Sequence, residues 1–171
     1  MRNVKWIFVV LIASSLTSFA DKSTTTGGLN VGDVAPDFNI EPTSVKSNNA
    51  EFSLAKMKGK PVLLSFWASY DAASRMQNIK LNSALQNLGS EVQMVSISFD
   101  EFPSIFKETV RMDQINLSNC YLVVDGDESN LFKTYKLNQG FKNFLLDENG
   151  IIIAKNVTTS EIPSLLLKSA S

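Results

Sequence analysis

The sequence predicts an α/β domain built on a mixed β-sheet, and three observations carry that expectation. Strand-length apolar runs alternate with helix-period stretches from Pro61 to Met112. Within that region, Pro61–Trp67 (PVLLSFW) is apolar apart from Ser65, as a strand covered on both faces would be. Near the C-terminus, Asn149-Gly150 separates two apolar runs, the strongest short-range signal for an antiparallel hairpin. Parallel crossovers followed by a hairpin require a sheet of mixed direction.

The first residues read as an export signal. Arg2 and Lys5 are the only charges before Asp21, and the apolar run Trp6–Ala13 follows them. Ser18-Phe19-Ala20 then supplies the small-x-small pattern of a cleavage site, so residues 1–20 are expected to be a secretory signal peptide removed after Ala20. The apolar run is shorter than the roughly 20 residues that span a bilayer, so no transmembrane anchor is expected after cleavage. The expected location is periplasmic or extracellular. Residues 21–31 are polar and aperiodic, a flexible leader, and order is expected from near Val31. One domain, 32–171, completes the chain.

Its elements follow in order. Phe38-Asn39-Ile40 and Glu51–Leu54 alternate as two short strands, an N-terminal β extension to the domain. After the Pro61–Trp67 strand, Ala72–Leu88 carries Leu81, Leu85 and Leu88 at helical spacing. Val92–Phe99 alternates as a strand. Pro103–Met112 reads as a helix with Pro103 in its first turn and Phe102, Phe106 and Val110 facing inward. Leu131–Tyr135 is a short helix. Phe144–Asp147 and Ile151–Ala154 form the hairpin, with positive φ expected at both Asn149 and Gly150. Ser160 is the expected cap of a last helix, with Pro163 in its first turn and Leu165, Leu166 and Leu167 packing behind.

Composition excludes several chemistries. The chain has 171 residues, a net charge of −1, no histidine and one cysteine. No basic patch appears, which argues against nucleic acid as a partner. Without histidine, the usual acid–base group near neutral pH is missing, and Cys/His zinc sites cannot form. An exported chain with one cysteine builds no internal disulfide. No metal or other cofactor is implied.

Specific motifs now point to a family. Gly32-Asp33-Val34-Ala35-Pro36-Asp37-Phe38 resembles the opening motif of redoxins of the AhpC/TSA and TlpA/ResA-like kind. Lys58-Gly59-Lys60-Pro61 leads into the central strand as in those proteins, and Phe66-Trp67-Ala68-Ser69-Tyr70 matches the segment directly before their redox dithiol. Asn143–Gly150 resembles their Phe-Leu-Ile-Asp hairpin. The resemblance implies a thioredoxin-like fold, and by family a thiol-disulfide oxidoreductase or peroxide-reducing redoxin.

The departures fall on the chemistry. Where the resemblance implies Cys-x-x-Cys, this chain has Asp71-Ala72-Ala73-Ser74. A thiolate stabilised at a helix start is the nucleophile of such proteins, and a second thiol resolves the mixed disulfide. Neither a carboxylate nor a hydroxyl can do either. The buried acid that the family places six residues earlier corresponds to Ser65, and the cis-proline facing the dithiol corresponds to Phe141, where a trans bond is expected. Four redox positions (Asp71, Ser74, Ser65 and Phe141) are therefore degenerate together.

The remaining candidate residues carry competing readings. Asp71 is a helix cap, or a general base or ligand-binding group at the old active site. Trp67, Tyr70, Asp71, Met76 and Phe141 are expected to gather near the helix start, as packing or as a surface for a protein, peptide or apolar ligand. Cys120 is an inert core residue, an intermolecular disulfide partner or a redox group of its own. Arg75, Lys80, Lys136 and Lys142 read as a solvated surface without pattern. The functional expectation is a non-catalytic binding or accessory module of the cell envelope. The alternatives are an oxidoreductase acting through Cys120 or a partner's thiols, and a structural subunit of a true redox enzyme.

Overall fold

The computed structural model describes residues 27–41, 51–88 and 92–169. The signal-peptide reading of residues 1–20 and the first part of the leader lie outside the described residues, as does the side chain of Leu88. Among the described residues, seven strands and four α-helices run in the order β1 (Asn39–Ile40), β2 (Phe52–Ser53), β3 (Val62–Trp67), α1 (Ala72–Leu88), β4 (Gln93–Ser98), α2 (Pro103–Met112), β5 (Cys120–Leu122), α3 (Asn130–Thr134), β6 (Asn143–Leu146), β7 (Ile152–Lys155) and α4 (Ile162–Ser169). The main sheet has the order β5-β4-β3-β6-β7. The β3–β4 and β4–β5 pairs are parallel, and β3–β6 and β6–β7 are antiparallel. β1 and β2 form a separate antiparallel ribbon.

Every residue of β3 is buried because the central strand is covered on both faces. Successive side chains alternate between the faces. Leu64 and Phe66 enter one core with Phe52, Ile97, Tyr135 and Phe144. Leu63 packs with Leu81, Leu85 and Ile162 from α1 and α4. Trp67, on that second face, packs with Phe106 and Val110 of α2. Tyr135 anchors the N-terminal segment: its hydroxyl donates to the Pro36 carbonyl at 2.7 Å, and burial pushes the phenol's pKa up.

The interface between α1 and the sheet is partly polar. Ser96 Oγ donates to Asn78 Oδ1 at 2.9 Å, and Asn82 Nδ2 donates to the Asn78 carbonyl at 3.0 Å. Asn143 and Val157 exchange two bonds, Val157 N–H to Asn143 Oδ1 at 2.7 Å and Asn143 Nδ2 to the Val157 carbonyl at 3.2 Å. Gln77 on α1 donates to that same carbonyl at 2.9 Å.

Several local expectations need correction. Residues 27–31 are tied to the domain rather than part of a flexible leader: Gly27 bridges to Val34, and Leu29 packs on the core. Phe102 is 60% exposed: it sits at the N-cap of α2, ahead of the face that buries Phe106 and Val110. Of Asn149 and Gly150, only Gly150 takes positive φ (83°), because the Asp147 side chain closes a longer turn by accepting from Asn149 N–H and Ile151 N–H at 2.9 and 2.8 Å. α4 starts at Ile162 rather than after a Ser160 cap. The turn before it is held by Glu161, whose carboxylate accepts from Thr158 N–H and Oγ. Leu165 and Leu166 pack against the core, while Leu167 is 74% exposed. Strand β5 was not expected.

Candidate functional site

The loop from β3 into α1 is set by hydrogen bonds on both sides. Ser69 donates to Asp100 Oδ1 through its N–H (2.9 Å) and hydroxyl (2.6 Å), and Ser98 Oγ donates to Asp100 Oδ2 at 2.7 Å. Asp100 is only 3% exposed, and these three donors compensate its buried charge. The sequence reading missed this residue; its position just after the alternating strand Val92–Phe99 is the only signal for it.

Helix α1 begins with a closed cap. Asp71 Oδ1 accepts from Ser74 N–H at 2.7 Å, satisfying one amide that a helix start leaves without an intrahelical partner. The Ser74 hydroxyl donates to the Asp71 carbonyl at 3.2 Å and accepts from Ala68 N–H at 3.4 Å. One turn on, Arg75 makes a bidentate pair with Asp113, the C-cap of α2, at 2.8 and 2.6 Å. That hydrogen-bonded partner raises the guanidinium's pKa. Arg75 is therefore a strut between two helices, not the patternless surface residue expected.

Opposite the helix start, the loop Gly140-Phe141-Lys142 approaches β3, and Phe66 N–H donates to the Lys142 carbonyl at 3.1 Å. Gly140 has φ of 103°, a conformation that disfavours a side chain. No cis peptide occurs among the described residues, so Phe141 follows a trans bond. Its half-buried ring lies 6.3 Å from Tyr70, 6.0 Å from Phe99 and 6.0 Å from Phe132. Tyr70 is 69% exposed. Its phenol pKa is raised, first by partial burial and then by the carboxylates of Asp100, Asp127, Asp71 and Glu101.

Between the loop and the helix start lies an open groove of about 370 Å³, lined by Ser65, Asp71, Ser74, Gly140, Phe141 and Asn143 among others. Of the expected surface residues, Asp71 and Phe141 line this groove, and Tyr70 lies beside it, its ring against Phe141. Trp67 does not: it is fully buried beneath α2, 6.2 Å from Phe106, because its strand parity points it away from the Phe66 face. Met76 is exposed on α1 but is not among the groove's lining residues. Ser65 lies buried on β3, register-paired with Asn143. Cys120 is 1% exposed, within the core under α2, and its thiol donates to the Asn116 carbonyl at 3.4 Å. Among the described residues no group of histidine, cysteine or carboxylate side chains could hold a metal ion, and no helix is long and apolar enough to cross a membrane.

A β-α-β crossover, a second parallel strand and a terminal hairpin, with a groove at the first helix start, define a thioredoxin-like protein. Residues 31–155 match the AhpC/TSA family, and the chain belongs to it. A thioredoxin-like protein from Parabacteroides distasonis is 40% identical, with a TM-score of 0.70 over 84% of this chain and 98% of that one. The thioredoxin-like protein YneN of Bacillus subtilis is 25% identical over 126 residues, 73% of this chain and 70% of that protein. A thiol-disulfide oxidoreductase from Bacteroides fragilis, at 23% identity, shares the fold with a TM-score of 0.65 over 81% of this chain and all of its own. This chain has a single cysteine and no Cys-x-x-Cys pair.

Proposed function

We propose that this is an exported, non-catalytic binding or accessory module of the cell envelope, a redoxin whose groove holds a ligand without exchanging disulfides. One observation carries the reading. Asp71 and Ser74, taken as the two former thiol positions, are bonded to each other across the first turn of α1, 2.7 Å from carboxylate oxygen to amide nitrogen. The amide that would stabilise a thiolate is thus committed to a side chain without sulfur chemistry. The burial of Cys120 away from this turn supports the same reading, since a thiol reacts only where a partner sulfur reaches it. Phe141 lines the groove with Tyr70 packed against it from outside, an aromatic pair that would supply binding energy to a peptide or apolar ligand. Export rests on the architecture of residues 1–20.

Three measurements on protein recovered from the envelope of the native host test the proposal. Intact mass should start at Asp21, and the protein should neither reduce insulin disulfides nor consume peroxide with a dithiol reductant. Turnover at ordinary thioredoxin rates that disappears in Cys120→Ser would refute the non-catalytic reading and make Cys120 the nucleophile.

A further inference from the structure

Three loops leave the sheet side by side at the carboxyl ends of the parallel strands: Ala68–Asp71 after β3, Phe99–Phe102 after β4 and Val123–Glu128 after β5. They hold Asp71, Asp100, Glu101, Asp125, Asp127 and Glu128, and no lysine or arginine. The last two touch, since a Cβ at Gly126 would lie 3.5 Å from Glu101 Cγ. Three of these acids are engaged: Asp71 by the Ser74 amide at 2.7 Å, Asp100 by the serines, and Glu128 by Lys133 at 3.0 Å. Nearby Arg75 is held by Asp113. Glu101, Asp125 and Asp127 are exposed and form no ion pair with a described residue.

Apolar surface accompanies the charge. Tyr70 (69% exposed), Phe102 (60%), Ile105 (47%) and Val124 (44%) lie on these loops or the α2 turn that follows. They make up half of the large hydrophobic side chains that the described residues expose, a clustering unlike the single scattered residues of an ordinary surface.

We propose that this edge docks a basic, partly apolar segment of a partner protein, with lysine or arginine side chains set against Glu101 and Asp127 and apolar ones on Phe102, Ile105 and Tyr70. The proposal rests on the binding-module reading above and names the partner's chemistry. Contact between exposed carboxylates and cations is modest per pair, whereas the sign of the field selects the partner and steers its approach. The Tyr70 ring face offers a further attraction to a cation. The same field repels an anionic peptide or an anionic lipid surface, so neither is the occupant.

Fluorescence anisotropy with three labelled peptides tests this: leucine alternating with lysine, with glutamate, or with serine. The lysine peptide should bind about ten-fold or more tighter than the glutamate peptide, the sum of several exposed charge contacts. The preference should fall as salt rises from about 50 mM to about 500 mM, where screening shortens to a few ångströms. Glu101→Lys with Asp127→Lys should erase it without moving the thermal transition, and Tyr70→Ala should weaken all three peptides, the lysine peptide most. Equal binding of all three peptides, lost in Phe141→Ala, would leave the groove as the binding site and overturn this inference. Binding of none would overturn it as well. Concentration-dependent self-association, removed by reversing Lys56 and Lys58 at the opposite end of β3, would show that a second copy fills the surface and would also overturn it.

Discussion

Replacing Asp71 and Ser74 together by cysteine tests the assignment of the helix start most directly. In the reduced variant two features are lost. The first is the Asp71 cap at 2.7 Å, worth about 1 kcal/mol within a range of about 0.5–2. The second is the Ser74 hydroxyl, which bridges Asp71 and Ala68 and contributes about another 1 kcal/mol. Oxidation then closes a loop of about four residues, which in the chain-entropy treatment destabilises the unfolded state by roughly 2 kcal/mol. The loss and the gain nearly cancel. The oxidised variant should therefore melt close to the wild type, and the reduced one lower by about 5–10 °C for a domain of this size. Thermal unfolding with and without dithiothreitol gives the two transitions, and intact mass after alkylation counts the thiols. Wild-type protein controls for Cys120. Failure to form an intramolecular disulfide, or a reduced variant as stable as the wild type, would refute both the cap energetics and the placement of residues 71 and 74 at the former thiol positions.

Phe141→Ala should destabilise the domain by about 2 kcal/mol, less than a fully buried ring because Phe141 is half-buried, as read by urea unfolding. If ligand capture falls in the folded fraction as well, the ring is part of the binding surface. Glu161 is held below the usual carboxylate range by the Thr158 backbone and hydroxyl donors, so its contribution to stability is present above about pH 4.3 and is lost as pH falls through the lower folded-state value. The difference in melting temperature between wild type and Glu161→Gln should shrink on acidification below that point; a constant difference down to the acid limit would refute the assignment.

Where a single chemical feature decides an element, the sequence was sufficient. α1 begins directly after the Asp of Asp-x-x-Ser and α2 at Pro103, and both have the expected limits. β3 was legible because a strand covered on both faces is apolar almost throughout. Three-residue β5 was not, because Cys120-Tyr121-Leu122 is too short to show a period and its pairing with β4 is tertiary. Chain proximity drew Trp67 into the expected surface, although alternation along β3 sends it to the opposite face from Phe66. Tyr70 and Phe141 were brought together correctly because fold topology, not local pattern, sets their approach. The acids around Tyr70 come from three loops distant in sequence, so their convergence could not be read from any window of the chain.

The buried amide and hydroxyl contacts under α1 bear on how the groove can open. Apolar contacts are non-directional, and a helix resting on them alone can roll by small angles. Asn78 with Ser96, and Gln77 with the Asn143–Val157 pair, impose an angular setting, because rolling α1 would break the buried Ser96–Asn78 bond, which has no solvent to replace it, and the part-buried Gln77 bond with it. The helix wall of the groove is thus a fixed jaw, held also by the Arg75–Asp113 strut. Any change in the groove's width therefore falls to the other jaw, where Gly140, free of a side chain, precedes the half-buried ring of Phe141.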